Sequence, residues 1–223
     1  MDFLSNNRLI RMNEVGDIRE VIEYTASVLL MDGVVLIPTD TVYGLICMPT
    51  SAKAIDLIFR MKQRPLNRHF PIIVADQIQA EYELPLIWNN AARTLASAFW
   101  PGALTLACGI RENDIEWLNG RVEVGVRVPN YPLVQGLAKK LGPLLMTSAN
   151  QHGDKTPNSI EGALMSLVFH PSLVIDGGQL SGAPSTLVNT NLPIPVIERA
   201  GIIPNSEIER ILQNAGRKDV AFN

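Results

Sequence analysis

Apolar residues recur along this chain at two spacings, and each spacing predicts one kind of element. Val21, Thr25 and Leu29 lie four residues apart, as on one face of a helix. Asp17 ahead of them is a residue type that caps helices, and Gly33 ends the pattern. The same criteria predict further helices that begin at Ser51 or cover residues 90–99, 132–140, 160–167 and 206–214.

Contiguous apolar runs and one alternating stretch predict strands. Between residues 122 and 128 valine occupies every second position, which is typical of a half-buried strand. Shorter apolar runs predict strands at residues 34–37, 42–47, 71–75, 104–108, 144–146, 173–175, 186–189 and 196–198. Several of these strands follow one another without an intervening helix. The pattern therefore predicts an α/β fold with a mixed sheet.

The bulk composition is that of an ordinary globular protein. The 223 residues are 47% hydrophobic and 18% charged, which predicts a single domain over residues 1–223. No apolar run approaches the ~18 residues of a membrane span, and the N-terminus lacks the features of a signal peptide. Cys47 and Cys108 lie in apolar runs and are predicted to be core residues. We therefore expect a cytoplasmic protein with no membrane contact.

Charge and motif content narrow the possible chemistry. A net charge of −3 argues against nucleic acid as the main ligand but permits a local basic cleft. The sequence contains neither G-x-x-x-x-G-K-[ST] nor G-x-G-x-x-G, so the usual glycine-rich phosphate cradles are missing. The sequence contains three histidines, and their spacing is not that of a zinc site: His69, His152 and His170. We therefore predict no metal site built from protein side chains.

A cluster of cations stands where one helix must end. Pro65 disfavours helical backbone at Arg64, so the chain turns extended and Lys62 and Arg64 can point into one cleft. Arg68 adds a third cation within seven residues. The cluster indicates an anion site. The alternative is a solvated pair that complements the helix dipole.

Small polar side chains follow the predicted strand at residues 144–146. Thr147, Ser148 and Asn150 can donate hydrogen bonds to phosphate oxygens without filling a cleft. Loops at this position in open α/β sheets form ligand crevices. The alternative is a turn held by local bonds between side chains and backbone.

Two further features have both a functional and a structural interpretation. The segment 38–45, P-T-D-T-V-Y-G-L, packs three polar residues between apolar strands, and its alternative is a tight turn with Tyr43 in the core. Arg127 occupies an outward position of the alternating valine strand, and its alternative is a solvent-facing charge.

Seven motifs, taken in their order along the chain, resemble the YrdC/Sua5 family of threonylcarbamoyl-AMP synthases. They are P-T-D-T-V-Y-G-L, K-Q-R-P, W-P-G-A-L-T, V-G-V-R-V-P, T-S-A-N, S-T-L-V and E-R-A-G. The resemblance runs from about residue 33 to residue 201, with an N-terminal and a C-terminal helix flanking it. It implies a twisted, open, mixed sheet with flanking helices and a large concave cleft. It also implies a nucleotidyltransferase that makes threonylcarbamoyl-AMP and pyrophosphate from L-threonine, bicarbonate and ATP for t6A37 modification of tRNA.

The resemblance assigns roles to particular residues. The K-x-R and S-x-N signatures fall on the implied catalytic residues Lys62, Arg64, Ser148 and Asn150. Threonine binding is implied for Thr41, Arg127, Ser148 and Ser185. ATP binding is implied for Arg64, Arg68, Asn150 and Arg199. Mg²⁺ is expected to be carried by the ATP phosphates, since these residues form no carboxylate cage.

Other functions remain open at this point. A tRNA-threonylcarbamoyl transferase complex is the implied acceptor of the product, and tRNA or double-stranded RNA binding is a further possibility. A double-stranded RNA- or tRNA-binding relative and a carbamoyltransferase-type paralogue are the alternatives to the synthase. Two segments depart from the usual family residues, Arg68-His69-Phe70 and the stretch 151–154.

Overall fold

The computed structural model describes residues 9–65, 69–151, 153–216 and 221–222. Within these ranges a mixed sheet of eleven strands forms the centre of the molecule. The strands are β1 (Leu9–Arg11), β2 (Val35–Ile37), β3 (Gly44–Cys47), β4 (Ile72–Ile73), β5 (Leu104–Gly109), β6 (Glu123–Arg127), β7 (Leu144–Ser148), β8 (Leu173–Asp176), β9 (Thr186–Asn189), β10 (Val196–Arg199) and β11 (Ala221–Phe222). The helices are α1 (Ile18–Leu30), α2 (Ala52–Lys62), α3 (Gln77–Glu83), α4 (Asn90–Phe99), α5 (Pro132–Leu141), α6 (Ile160–Ser166) and α7 (Asn205–Asn214).

The strand order confirms the predicted mixed α/β sheet. Across the sheet the strands follow the order β1-β8-β2-β3-β7-β4-β6-β5-β9-β10-β11. The pairs β2–β3 and β5–β6 are antiparallel, whereas β4–β6 and β5–β9 are parallel. Antiparallel neighbours can follow one another directly, which is why strands outnumber helices in the sequence pattern.

Two apolar clusters cover the two faces of this sheet. Successive residues of β2 separate between them, because side chains on a strand point alternately to opposite faces. Leu36 packs in the cluster that contains residues of α2, α4 and α7. Val35 and Ile37 pack in the cluster that contains residues of α1 and α5. The helices therefore shield both faces, and the predicted core position of the two buried cysteines is confirmed.

Capping side chains define the helix starts that the sequence predicts. The Asp17 carboxylate accepts a hydrogen bond from the Arg19 amide at 2.9 Å, and Ser51 Oγ accepts one from the Ala54 amide at 3.1 Å. At the other end of α2, Gln63 adopts left-handed backbone with φ 49°, so the helix ends at Lys62 as expected. No helix in the described ranges is long and apolar enough to cross a bilayer.

Arg127 is buried, so the alternative interpretation of it as a solvent-facing charge is wrong. This side chain lies at the end of β6 and is only 7% exposed. The polar turn between β2 and β3 covers it, since Asp40 and Thr41 both contact its guanidinium. The alternation of the strand is real, but at Arg127 another part of the chain covers its outer face, whereas Glu123 and Gly125 stay partly exposed.

Candidate functional site

Lys62 joins the end of α2 to the loop that follows β7. Its ammonium donates hydrogen bonds to the main-chain oxygens of Ser148 and Asn150 and lies 3.3 Å from Asn150 Oδ1. Lys62 is 1% exposed. Burial, and then the charge of Arg64, lower the pKa of Lys62 to about 7. The predicted pair of signatures, K-x-R and S-x-N, is thus brought together, and Lys62 acts as the tie between them.

The S-A-N loop is held by its own side chains as well. Ser148 Oγ donates to Asn150 Oδ1 at 2.5 Å, and Asn150 Nδ2 donates to the carbonyls of Gln151 at 2.9 Å and Asp154 at 2.7 Å. The Ala149 amide donates to the carbonyl of Tyr43 at 2.9 Å. The local turn proposed as an alternative therefore exists, and it presents Ser148 and Asn150 beside Lys62.

Arg64 lies just past the helix end, next to an aromatic pair. Its Nη2 donates to the carbonyl of His69 at 3.2 Å, and its guanidinium carbon is 5.4 Å from the centre of the Phe70 ring. The Phe70 ring stacks on Phe59 at 4.6 Å, which fixes it in the core. Arg68, the third cation of the predicted cluster, lies outside the described residues.

Arg127 is the centre of a second polar group. Its Nη2 donates to Asp40 Oδ1 at 2.6 Å, its Nη1 donates to Thr41 Oγ1 at 2.9 Å, and its Nε donates to the carbonyl of Gly102 at 3.0 Å. Burial lowers the pKa of Arg127, and the neighbouring Asp40 carboxylate opposes this shift. The group joins the predicted residues Thr41 and Arg127 and adds Asp40, which the sequence had not assigned to the site.

Thr39 sets the orientation of the Thr41 hydroxyl. Thr39 Oγ1 donates to the carbonyl of Val42 at 2.6 Å and lies 2.9 Å from Thr41 Oγ1. Because a hydroxyl carries a single proton, Thr41 must be the donor in the contact between the two threonines. Thr41 then accepts from Arg127. The P-T-D-T turn is thereby a fixed element, and both of its threonines are buried.

Ser185 and Arg199 form a third polar group. Arg199 Nη2 donates to the Ser185 carbonyl and to Ser185 Oγ, both at 3.0 Å. Ser185 Oγ lies 2.8 Å from Thr105 Oγ1. Arg199 is exposed as a whole residue, but its guanidinium packs against Ser185, and this local burial, followed by the charge of Arg127, lowers its pKa. Because the charge of Arg127 acts on Arg199, the second and third groups lie within electrostatic range of each other.

A cavity of about 450 Å³ adjoins the second of these groups, although none of the predicted site residues within the described ranges lines it. Its lining comes from the segment after the S-A-N loop and from the segment before β9, and comprises Lys155, Thr156, Pro157, Asn158, Ser181, Gly182 and Ala183. Ser181 Oγ donates to the carbonyl of Thr41 at 2.8 Å, so the cavity adjoins the P-T-D-T turn. These lining residues lie on irregular loops, so no periodic pattern or motif in the sequence pointed to them.

The fold and these three groups define the class of the protein. It is an α/β protein whose open, mixed sheet carries three polar groups built from hydroxyl side chains, an amide and cations, a composition suited to anionic ligands. The chain belongs to the Sua5/YciO/YrdC family, described as "Telomere recombination", which matches residues 27–201.

Relatives of known name agree with this membership. The chain is 32% identical over 195 residues to a threonylcarbamoyl-AMP synthase of Bacillus subtilis (strain 168), covering 86% of this chain and 56% of that protein. It is 34% identical over 157 residues to a threonylcarbamoyl-AMP synthase of Yersinia pestis (strain Pestoides F), covering 69% of this chain and 82% of that protein. The chain thus spans little more than half the length of the Bacillus relative.

A solved structure shares the fold. The crystal structure of P. abyssi Sua5 complexed with L-threonine superposes with a TM-score of 0.82 at 28% identity. The match covers 96% of this chain and 62% of that one.

Proposed function

We propose that this protein is a threonylcarbamoyl-AMP synthase that joins L-threonine, bicarbonate and ATP, with release of pyrophosphate. The observation that carries the proposal is the buried Arg127–Thr41 contact at 2.9 Å, in a chain 32% and 34% identical to proteins of that name. A buried guanidinium with directed partners is suited to a carboxylate ligand.

The threonine side of the site is assigned to Arg127, Thr41, Ser185 and Ser148. The contacts of Arg127 with described residues use three of its five N–H donors, which leaves two for a carboxylate. A P. abyssi relative has been solved with L-threonine, which supports an amino acid as the ligand of this family member. Ser185 would border the same site through its contact with Arg199.

The ATP side is assigned to Lys62, Arg64, Asn150 and Arg199, with Arg68 as a further candidate outside the described residues. Lys62 orients the S-A-N loop, and contact of its ammonium with a phosphate would require exchange of one of its present hydrogen bonds. Arg199 is exposed and its planar fork suits a phosphate group.

Magnesium is expected to arrive with the nucleotide. Among the described residues no group of three or more His, Cys, Asp or Glu side chains lies close enough to hold a metal ion. Mg²⁺ is commonly held by phosphates and water with few protein ligands. When bound, it would neutralise charge on the phosphates.

The reaction requires little covalent work from the protein. The threonine amine adds to carbon dioxide with loss of a proton, or to bicarbonate with loss of water, and gives a carbamate. A carbamate oxygen then attacks the α-phosphorus of ATP while pyrophosphate leaves. The side chains described here bind and orient the two substrates and stabilise the negative charge that develops on the phosphates. The nucleotidyltransferase class of the enzyme follows from this second step.

Several wider assignments belong to the same proposal. The product would pass to a tRNA-threonylcarbamoyl transferase complex for t6A37 formation, and direct binding of tRNA or double-stranded RNA is a further expectation. Residues 1–223 are proposed to form one domain. The cytoplasmic location stays a prediction from the sequence.

The test is a pyrophosphate-release assay on the purified protein with ATP and Mg²⁺. We expect release that depends on both L-threonine and bicarbonate, measured by omitting each in turn. A folded sample that releases no pyrophosphate with both present contradicts the proposal. Release with carbamoyl phosphate in place of threonine and bicarbonate would instead indicate carbamoyltransferase-type chemistry.

A further inference from the structure

The Asp40 carboxylate and the Arg127 guanidinium are in direct contact, so a ligand bound beside them would meet one negative and one positive group. Asp40 Oδ1 lies 2.6 Å from Arg127 Nη2, and the two side chains are 14% and 8% exposed. Among the described residues, Asp40 Oδ2 takes part in no hydrogen bond or ion pair. One carboxylate oxygen therefore holds the guanidinium, and the other keeps its capacity to accept.

An amino-acid ligand bound next to Arg127 needs a negatively charged partner for its α-ammonium. An α-amino acid carries an ammonium one carbon away from its carboxylate. With the carboxylate on Arg127, that ammonium lies close to the same guanidinium, in a region where Arg199 adds a second positive charge. Like charges at such range repel, and the repulsion is strong where water is excluded. A nearby carboxylate removes this cost.

We propose that Asp40 binds the α-ammonium of the substrate through Oδ2, so that Asp40 and Arg127 together select a zwitterionic α-amino acid. The inference rests on the proposed function, since it concerns the threonine side of that site. It assigns to Asp40 a role as a substrate-contacting specificity residue, in addition to its contact with Arg127. The fixed turn, in which Thr39 and Thr41 are buried, holds Asp40 in position.

The experiment compares two ligands that differ only in the amine. Calorimetry would give Kd values for L-threonine and for (R)-3-hydroxybutyrate, which keeps the carboxylate and the hydroxyl but has no amine. The wild-type protein should prefer threonine. Asp40→Asn should weaken threonine binding about 10-fold or more, as loss of a charged hydrogen-bond partner does, and leave hydroxybutyrate binding unweakened.

Two further variants complete the test. Asp40→Glu keeps the carboxylate and should retain the preference for threonine. Asp56→Asn removes an equal charge from an exposed position on α2, where the side chain is 64% exposed, and should change neither Kd. The ratio of the two Kd values is measured on one sample, so partial unfolding of a variant does not alter it.

Each outcome has a distinct meaning. Equal weakening of both ligands in Asp40→Asn would overturn the inference, because Asp40 would then act only by orienting Arg127. A wild-type protein that binds both ligands equally would also overturn it. A folded wild-type protein that binds neither ligand would instead contradict the proposed function itself.

Discussion

The ammonium nitrogen of Lys62 lies 3.3 Å from the side-chain oxygen of Asn150, although 88 positions separate the two residues in the sequence. Both side chains are buried. The contact therefore ties the last turn of α2 to the loop after β7. A second link runs through the end of α6, where Ser166 Oγ donates to the Ala149 carbonyl and the Val168 amide donates to the Met61 carbonyl, both at 3.1 Å.

Replacing Lys62 by Met should impair both activity and stability. Methionine has a similar length but donates no hydrogen bonds, so the oxygens of Ser148 and Asn150 lose a buried partner. We expect turnover to fall about 100-fold in the pyrophosphate-release assay. The free energy of unfolding should fall by about 1–3 kcal/mol in denaturant titrations.

Lys53→Met is the matched control for this variant. Lys53 lies on the same helix and is exposed, so its loss should leave turnover and stability nearly unchanged. An unchanged rate in Lys62→Met would contradict the role given to this side chain.

The lowered pKa of Lys62 predicts how stability depends on pH. The folded protein binds the Lys62 proton with a pKa of about 7, against an ordinary value of 10.5 in the unfolded chain. Between these values the unfolded state binds more protons, so the free energy of unfolding rises with pH. Measured from pH 7 to 10, the wild-type protein should gain stability relative to Lys62→Met. A difference in unfolding free energy between the wild type and Lys62→Met that does not change with pH would contradict the lowered pKa of Lys62.

Much of the fold follows from local sequence signals. Helix α4 has the predicted bounds, Asn90–Phe99, because Asn89 caps it and Pro101 lies just beyond it. The strand β9 likewise has the predicted bounds, Thr186–Asn189. Three elements were not predicted: β1, α3 and β11. In α3, QIQAEYE, apolar and polar residues alternate, so the spacing of a helix is missing. The strands β1 and β11 have three and two residues and lie outside any apolar run of four or more residues.

The candidate site was less fully predictable, for a different reason. Motif order indicated Lys62, Asn150 and Arg127, and each is buried in a polar group of the site. Asp40 was missed as a site residue because its importance lies in a contact with Arg127, 87 positions away. Single-sequence patterns report spacing along the chain, so they do not identify which distant charges become partners.

Replacing Arg127 by Lys tests the need for a planar fork. Lysine keeps the positive charge but cannot reach Asp40, Thr41 and Gly102 together as the guanidinium does. We expect the KM for threonine to rise about 10-fold or more, because a bidentate carboxylate contact is lost. Steady-state kinetics at saturating ATP would measure this.

The control for Arg127→Lys is the same exchange at Arg93. That side chain is 51% exposed and pairs with Glu81 at 3.0 Å. Exposed pairs of this kind contribute only about 0–1 kcal/mol, so Arg93→Lys should retain the wild-type KM and thermal stability. A KM for threonine that stays at the wild-type value in Arg127→Lys would exclude Arg127 as the carboxylate ligand.

Gly201 allows the chain to pass directly over the segment that carries Ser185, and Gly201→Ala should disturb that segment. A methyl group at Gly201 would lie 2.4 Å from both the carbonyl carbon of Ser185 and the amide nitrogen of Thr186. Backbone atoms cannot yield as flexible side chains do, so we expect a loss of about 1–3 kcal/mol in stability. For a chain of this size that corresponds to a Tm lower by at least about 2 °C in calorimetry. Gly16→Ala is the control, since a methyl group there has nothing within 4 Å.

Because displacement of Ser185 also moves the partner of Arg199, kcat/KM should fall in Gly201→Ala and stay unchanged in Gly16→Ala. Equal Tm and kcat/KM values for the two variants would show that the close approach at Gly201 does not position Ser185.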